Sequence, residues 1–165
     1  MPRLSPVRPA PLDDDYRPLE RSGEHRIRLP AALPRILIVD DTLMVLRSLK
    51  RVLEVIRPEW SIAATQSPKA ALIRIRNERF SVLLTDLEMP EMCGEELVKA
   101  ALGVDPNLVC LVHSGKVETL KPEIRSKLSD VLRKPATANE LSEALDRAVK
   151  VSERSGRRAS RASTC

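Results

Sequence analysis

At 165 residues and a net charge of +5, the chain has room for one domain of ordinary size. Its three aromatic residues, Tyr16, Trp60 and Phe80, are too few for the stacking platforms of a single-strand nucleic-acid binder. No apolar run approaches the ~18 residues of a membrane span, and residues 1–10 carry proline and arginine where a signal peptide needs an apolar centre, so a cytoplasmic location is expected. Cys93, Cys110 and Cys165, odd in number and without a CxxC pair, indicate neither a disulfide framework nor a zinc site. The charge is unevenly spread. Residues 1–33 hold six Arg and five acids, residues 34–150 hold 18 basic and 17 acidic groups, and the last fifteen set Arg154, Arg157, Arg158 and Arg161 against Glu153. The excess therefore sits mainly in the tail.

Seven of the thirteen prolines fall in the first 34 residues, where they remove amide donors and block helices, so 1–33 reads as a disordered leader. The domain is expected over 34–151. Arg35 to Val39 is a continuous β-branched run suited to a strand buried on both faces, ending at Asp40-Asp41. Val45, Leu49, Val52, Leu53 and Ile56 then repeat at helical spacing up to Pro58. Trp60 to Thr65 reads as a second strand. Ser67 caps a second helix that has Pro68 in its first turn, where a missing donor does no harm. Ser81 to Thr85 is a third strand ending at Asp86, and Gly94 to Leu102 a third helix. Leu108 to Val112 is a fourth strand, ending at His113-Ser114-Gly115. Val117 to Leu128 is weakly helical and interrupted by Pro122. Val131-Leu132 is a short fifth strand before Lys134, and Thr137 with Glu140 forms a capping box for the last helix. The segment 152–165, rich in Ser and Arg, is expected to be a disordered basic tail. Strands alternating with helices imply an α/β fold, a doubly wound five-stranded parallel sheet with ligands bound beyond the carboxyl ends of its strands.

Those ends carry Asp40 and Asp41, Asp86, Ser114 and Lys134. If the first and third strands are neighbours, ~4.8 Å apart, three carboxylates converge. Like charges so close either raise their pKa values or take up a cation, and a hard divalent ion such as Mg²⁺ suits oxygen donors. Lys134 adds a point charge suited to a phosphate oxygen, Ser114 a hydroxyl, and Gly115 room for close approach. Each feature alone has an ordinary reading. Asp40-Asp41 can be an N-cap, Asp86 to Pro90 and Ser114-Gly115 turns, and Lys134 a solvated lysine. Their coincidence at four strand ends favours a site. His113, with only His25 besides it in the chain, reads as structural or partly exposed.

The motifs Ile38-Val39-Asp40-Asp41, Thr85-Asp86-Leu87-Glu88-Met89-Pro90 with Gly94, Ser114-Gly115 and Lys134-Pro135 resemble the receiver domain of bacterial two-component response regulators over 34–150. The resemblance implies a flavodoxin-like sheet of order 2-1-3-4-5. It implies Asp86 as phosphoacceptor, Asp41, Asp86 and the Glu88 carbonyl as Mg²⁺ ligands, and Asp40 acting through water. Lys134, Ser114, Gly115 and Leu87 would contact the phosphoryl group or switch with it. The partner would be a sensor histidine kinase or phosphotransfer protein, and the chain would be an enzyme only toward its own phosphorylation and dephosphorylation. Nucleic acid is not expected as a partner, the basic tail, which reads first as simply solvated, being the one exception left open, and a membrane is not expected at all. The sequence departs from the family pattern at Val131, where members commonly carry Tyr or Phe, and in a spacing of twenty residues from Ser114 to Lys134 that contains Pro122. A short or displaced fourth helix follows. With no room for an output domain in the remaining residues, the expectation is a stand-alone response regulator. The alternatives are a receiver-like scaffold indifferent to phosphorylation and a small Mg²⁺-dependent phosphatase. The last lacks an Asp-x-Asp pair after the first strand, and the chain has no P-loop.

Overall fold

In the computed structural model, residues 33–162 are described, with side chains as far as 156. The leader, apart from Leu33, and residues 163–165 lie outside the described residues. Five strands, β1 (Arg35–Val39), β2 (Ser61–Thr65), β3 (Val82–Thr85), β4 (Val109–Ser114) and β5 (Leu128–Arg133), form one parallel sheet of order β2-β1-β3-β4-β5. The alternation of side chains along each strand splits the core in two. Leu37, Val39, Leu83, Cys110 and Val112 face α2 (Pro68–Asn77), α3 (Gly94–Val104) and α4 (Pro122–Arg125). Ile36, Ile38, Val82, Leu84, Val109 and Leu111 face α1 (Leu43–Ile56) and α5 (Ala138–Ala162). Among the described residues no helix is long and apolar enough to cross a membrane.

Local chemistry accounts for the helix boundaries. The Ser67 hydroxyl accepts the Ala70 amide at 3.2 Å, and Pro68 begins α2. Thr137 and Glu140 close the expected capping box, the Glu140 carboxylate taking the Thr137 amide at 2.8 Å. Arg57, at the end of α1, pairs with Asp146 of α5 and ties the two helices together.

Three elements depart from expectation. On α1 the fully buried positions are Leu46 and Leu53, while Val45, Leu49, Val52 and Ile56 sit half-buried at the margins of the stripe. The fifth strand spans six residues rather than two. It is an edge strand with a register shift opposite Cys110 and Leu111, so it needs no continuous apolar run. The segment before it holds a 3₁₀ turn (Val117–Thr119) and the four-residue α4, in line with the break expected at Pro122. Finally, α5 does not stop near 151: it runs to Ala162 through the stretch expected to be disordered. Arg, Ala and Glu are good helix formers, and a helix already nucleated on the core extends at one hydrogen bond per residue.

Candidate functional site

The register of the central strands brings the acids together. Val39 is opposite Thr85, so the residues that follow, Asp40 and Asp86, leave the sheet side by side. The Asp86 amide still donates to the Val39 carbonyl at 2.9 Å, which carries the pairing one residue past β3. Carboxylate oxygens of Asp40, Asp41 and Asp86 lie within 4.8 Å of one another. Asp40 and Asp86 are 2% and 8% exposed, whereas Asp41 is half-buried at the rim. On the other side of the cluster, Lys134 follows β5, and its amide donates to the Ser114 carbonyl at 2.9 Å. Its ammonium donates to Asp40 at 2.6 Å and to Asp86 at 2.8 Å.

Every carboxylate is held in place. Asp40 accepts the Thr42 amide at 2.9 Å, and Asp41 the Thr42 hydroxyl at 3.3 Å. One Asp86 oxygen accepts the Leu87 amide at 2.6 Å and faces the Glu88 amide at 3.4 Å, while the other takes Lys134. The backbone carbonyl of Asp86 is fixed by the Thr85 hydroxyl at 2.9 Å. Gly94 packs against this turn: a Cβ there would overlap the Asp86 carbonyl oxygen and come within 2.9 Å of Leu87 Cα. The Gly94 amide donates to the Leu87 carbonyl at 2.9 Å, so the start of α3 braces the loop that carries Asp86.

Burial pushes the Asp86 carboxyl up, but hydrogen bonds from Lys134 and the Ser114 hydroxyl, the Lys134 charge and the Leu87 amide together hold it below its ordinary value. Burial likewise pulls Lys134 down, and its bonds to Asp40 and Asp86 more than offset that, leaving it above its ordinary value. The pocket thus contains an ionised acid and a charged amine in contact. Burial, reinforced by the Lys134 charge, lowers the pKa of His113, whose Nε2 has no hydrogen-bond partner. The residue is buried, as a structural histidine should be.

The structure gathers Asp40, Asp41, Asp86, Leu87 and Lys134 and places the fully buried Ser114 beside them. Gly115 is exposed at the edge, its carbonyl accepting from Arg133 at 3.3 Å. The Glu88 side chain turns away to meet Lys116 at 2.5 Å, so only its backbone is available to the cluster. That Lys116–Glu88 bridge, which links the loops after β3 and β4, had no signal in the sequence, because two exposed charges 28 positions apart form no pattern. Next to Lys134 a shallow groove of about 490 Å³ is lined by Met44, Val45, Leu49, His113, Pro135 and Ala136. Met44 is 67% exposed there.

The donor set is all oxygen and anionic, which fits Mg²⁺ and not a soft metal. Burial keeps competing water from two of the three acids. The arrangement can hold a small, hard, positively charged ion or a phosphoryl group between an amine and a carboxylate.

Comparison with known proteins identifies a family. The family model described as response regulator receiver domain matches residues 36–146. A response regulator receiver protein of Brucella abortus, CpdR, is 35% identical over 83 residues, covering 50% of this chain and 68% of the relative. One from Anaeromyxobacter is 37% identical over 103 residues, covering 61% of this chain and 42% of that protein. Among solved structures, a CheY-like receiver domain protein from Methanospirillum hungatei superposes with a TM-score of 0.66 at 27% identity, over 74% of this chain and 98% of the other.

Proposed function

The chain belongs to the response regulator receiver family, and from that premise we propose that Asp86 accepts a phosphoryl group from a phosphohistidine of a partner protein in two-component signalling. The observation that carries this reading is the contact of one ammonium, Lys134, with both Asp40 and Asp86 at 2.6 and 2.8 Å, beside a third carboxylate. One oxygen of Asp86 attacks phosphorus. A P–O bond forms as the P–N bond breaks, and its electron pair returns to the donor imidazole, which leaves neutral when its other nitrogen carries a proton. The Asp86 oxygen bound by the Leu87 amide is oriented by that bond, and the second is freed for attack when Lys134 moves onto the incoming oxygens. A carboxylate and an anionic phosphoryl group repel, and Lys134 offsets that repulsion in a pocket where water competes weakly.

Asp41, Asp86 and the Glu88 carbonyl would hold Mg²⁺, with Asp40 acting through water. The ion would add positive charge where the transferring oxygens gather. Ser114, fully buried beside the site, would turn toward the new phosphoryl oxygens, and exposed Gly115 leaves its loop space to follow. The apolar groove at Met44 lies next to Lys134 and would receive the helix that presents the donor histidine. A sensor histidine kinase or a phosphotransfer protein is the partner this implies.

A small phosphodonor tests the assignment. With Mg²⁺, the protein gains the mass of one phosphoryl group, and Asp86→Asn gains none. Undiminished labelling of Asp86→Asn would overturn it.

A second reading rests on Val131 and the four-residue α4, which leave the usual output face without an aromatic switch. In that reading a partner binds irrespective of phosphorylation. Equal partner affinities before and after phosphorylation would favour it.

A further inference from the structure

The outward face of α1 carries a pattern that the core does not use. Leu46 and Leu53 bury the inner side of the helix. Opposite them stand Met44, Arg47, Ser48, Arg51 and Val55, all exposed, Met44 to 67% and Val55 to 73%. At roughly 100° per residue these five positions fall within an arc of about 100°, a ridge about 16 Å long. Of the seven exposed large apolar side chains among the described residues, three, Leu43, Met44 and Val55, belong to this one helix. Arg47 and Arg51, one turn apart, have no ion-pair partner among the described residues, the nearby Glu54 being taken by Lys50 at 3.6 Å. The ridge also has a direction. Met44 and Ser48 line the groove beside Lys134, so its first turn borders the acid cluster.

On the reading that the phosphodonor is a phosphohistidine protein, we infer that this ridge docks a donor helix carrying two acidic side chains one turn apart. Side chains three or four apart on a helix have Cβ atoms about 5–6 Å from each other, so acids at that spacing on a facing helix match Arg47 and Arg51. Each guanidinium can take a carboxylate in bidentate fashion. Met44 and Val55, at the two ends of the ridge, meet apolar side chains of the same helix, and methionine and arginine are residues that protein interfaces favour. The charges argue against the other occupants of such a face. A second copy paired about a two-fold axis midway along the ridge would set Arg47 and Arg51 against their counterparts. A bilayer would have to receive both arginines in the middle of the apolar face. The acids thus fix the register of donor on receiver, and the groove at Met44 takes the turn nearest the donor histidine.

The test uses the full chain and, as donor, whichever phosphorylated histidine kinase or phosphotransfer protein of the same organism passes its label to it fastest. Reversing both charges, Arg47→Glu with Arg51→Glu, should slow that transfer by about tenfold or more at low salt. The milder Arg47→Gln with Arg51→Gln should slow it less. Raising salt from about 50 to 500 mM should slow transfer to the native chain and barely touch the reversed one. Labelling by a small phosphodonor, which needs no docking, should be unchanged in every variant and so shows that each is folded. Replacing the donor's two acids by Arg should restore transfer to the reversed chain. With Asp86 labelled by the small donor, any of three results overturns the inference alone: transfer that charge reversal leaves unchanged, a fastest donor without acids one turn apart on its histidine-bearing helix, or no protein donor at all. Failure of the small donor to label Asp86 in the native chain overturns instead the reading on which the inference rests.

Discussion

The two halves of the sheet are built to different standards. Around β1 and β3 the register is unbroken, the strand residues after Arg35 are almost wholly buried, and the strand ends place two buried acids side by side. Around β4 and β5 the pairing shifts at Cys110 and Leu111, β5 is only partly buried along its length, and the intervening helix is one turn long. The central half fixes atoms to within hydrogen-bond distances, as phosphoryl transfer requires. The edge half tolerates change, and a receiver that alters its partner surface can do so there without disturbing the acids. Lys134 is where the halves meet, since it leaves the edge strand and ends on the central carboxylates.

The largest effect expected within this contrast comes from removing that link. Lys134→Met leaves Asp40, Asp41 and Asp86 without their cation, so Mg²⁺ should bind more tightly in a calorimetric titration. Labelling by a small phosphodonor should nevertheless fall by about 10²-fold, the cost of losing one transition-state charge partner. Tight Mg²⁺ binding with labelling at the native rate would show that Lys134 does not act on the phosphoryl group. The ion pairs also give a sign to the alkaline limb of stability. The pKa of Lys134 is raised in the folded state, so its contribution is complete below the ordinary value of 10.5 and is lost as pH climbs through the folded value. Denaturant titrations should show that loss in the native protein and not in Lys134→Met.

Gly94→Ala strikes the central half from behind. The added methyl meets the Asp86 carbonyl and Leu87 backbone, neither of which can swing aside like a side-chain tip. Denaturation should report a loss of about 3 kcal/mol, and labelling should slow because the Asp86 loop is displaced. A variant with native stability and native labelling would mean that the α3 start does not brace the acid. At the opposite extreme, Val131→Tyr alters the half-buried edge strand. It should change labelling by less than about twofold and stability by less than about 1 kcal/mol. A large loss of labelling there would erase the separation of the halves.

Legibility followed the same division. The Ile36 to Val39 and Val82 to Thr85 runs are apolar on both faces and read as buried parallel strands, and the acids that end them declare a site. Lys134 and the break at Pro122 were equally plain. The residues that escaped are governed by context. Leu128 to Asp130 mixes polar and apolar side chains because an edge strand has one open side, and no composition rule separates that from a loop. On α1, Leu46 is buried in the cluster shared with Ile36, Ile38 and the α5 residues Leu141 and Leu145, packing that involves residues about 95 positions away in the chain and that the local pattern does not reveal. The continuation of α5 beyond Val151 was hidden by its lack of apolar periodicity. Propensity sustains it where packing does not.

The proposed phosphoryl transfer requires one particular carboxylate as the acceptor. Intact-protein mass spectrometry after incubation with a small phosphodonor, followed by fragmentation to locate the group, addresses that most directly. The prediction is a single phosphoryl group on Asp86 that disappears when Mg²⁺ is chelated. A group found on His113 or on Asp40, or labelling indifferent to chelation, would contradict it.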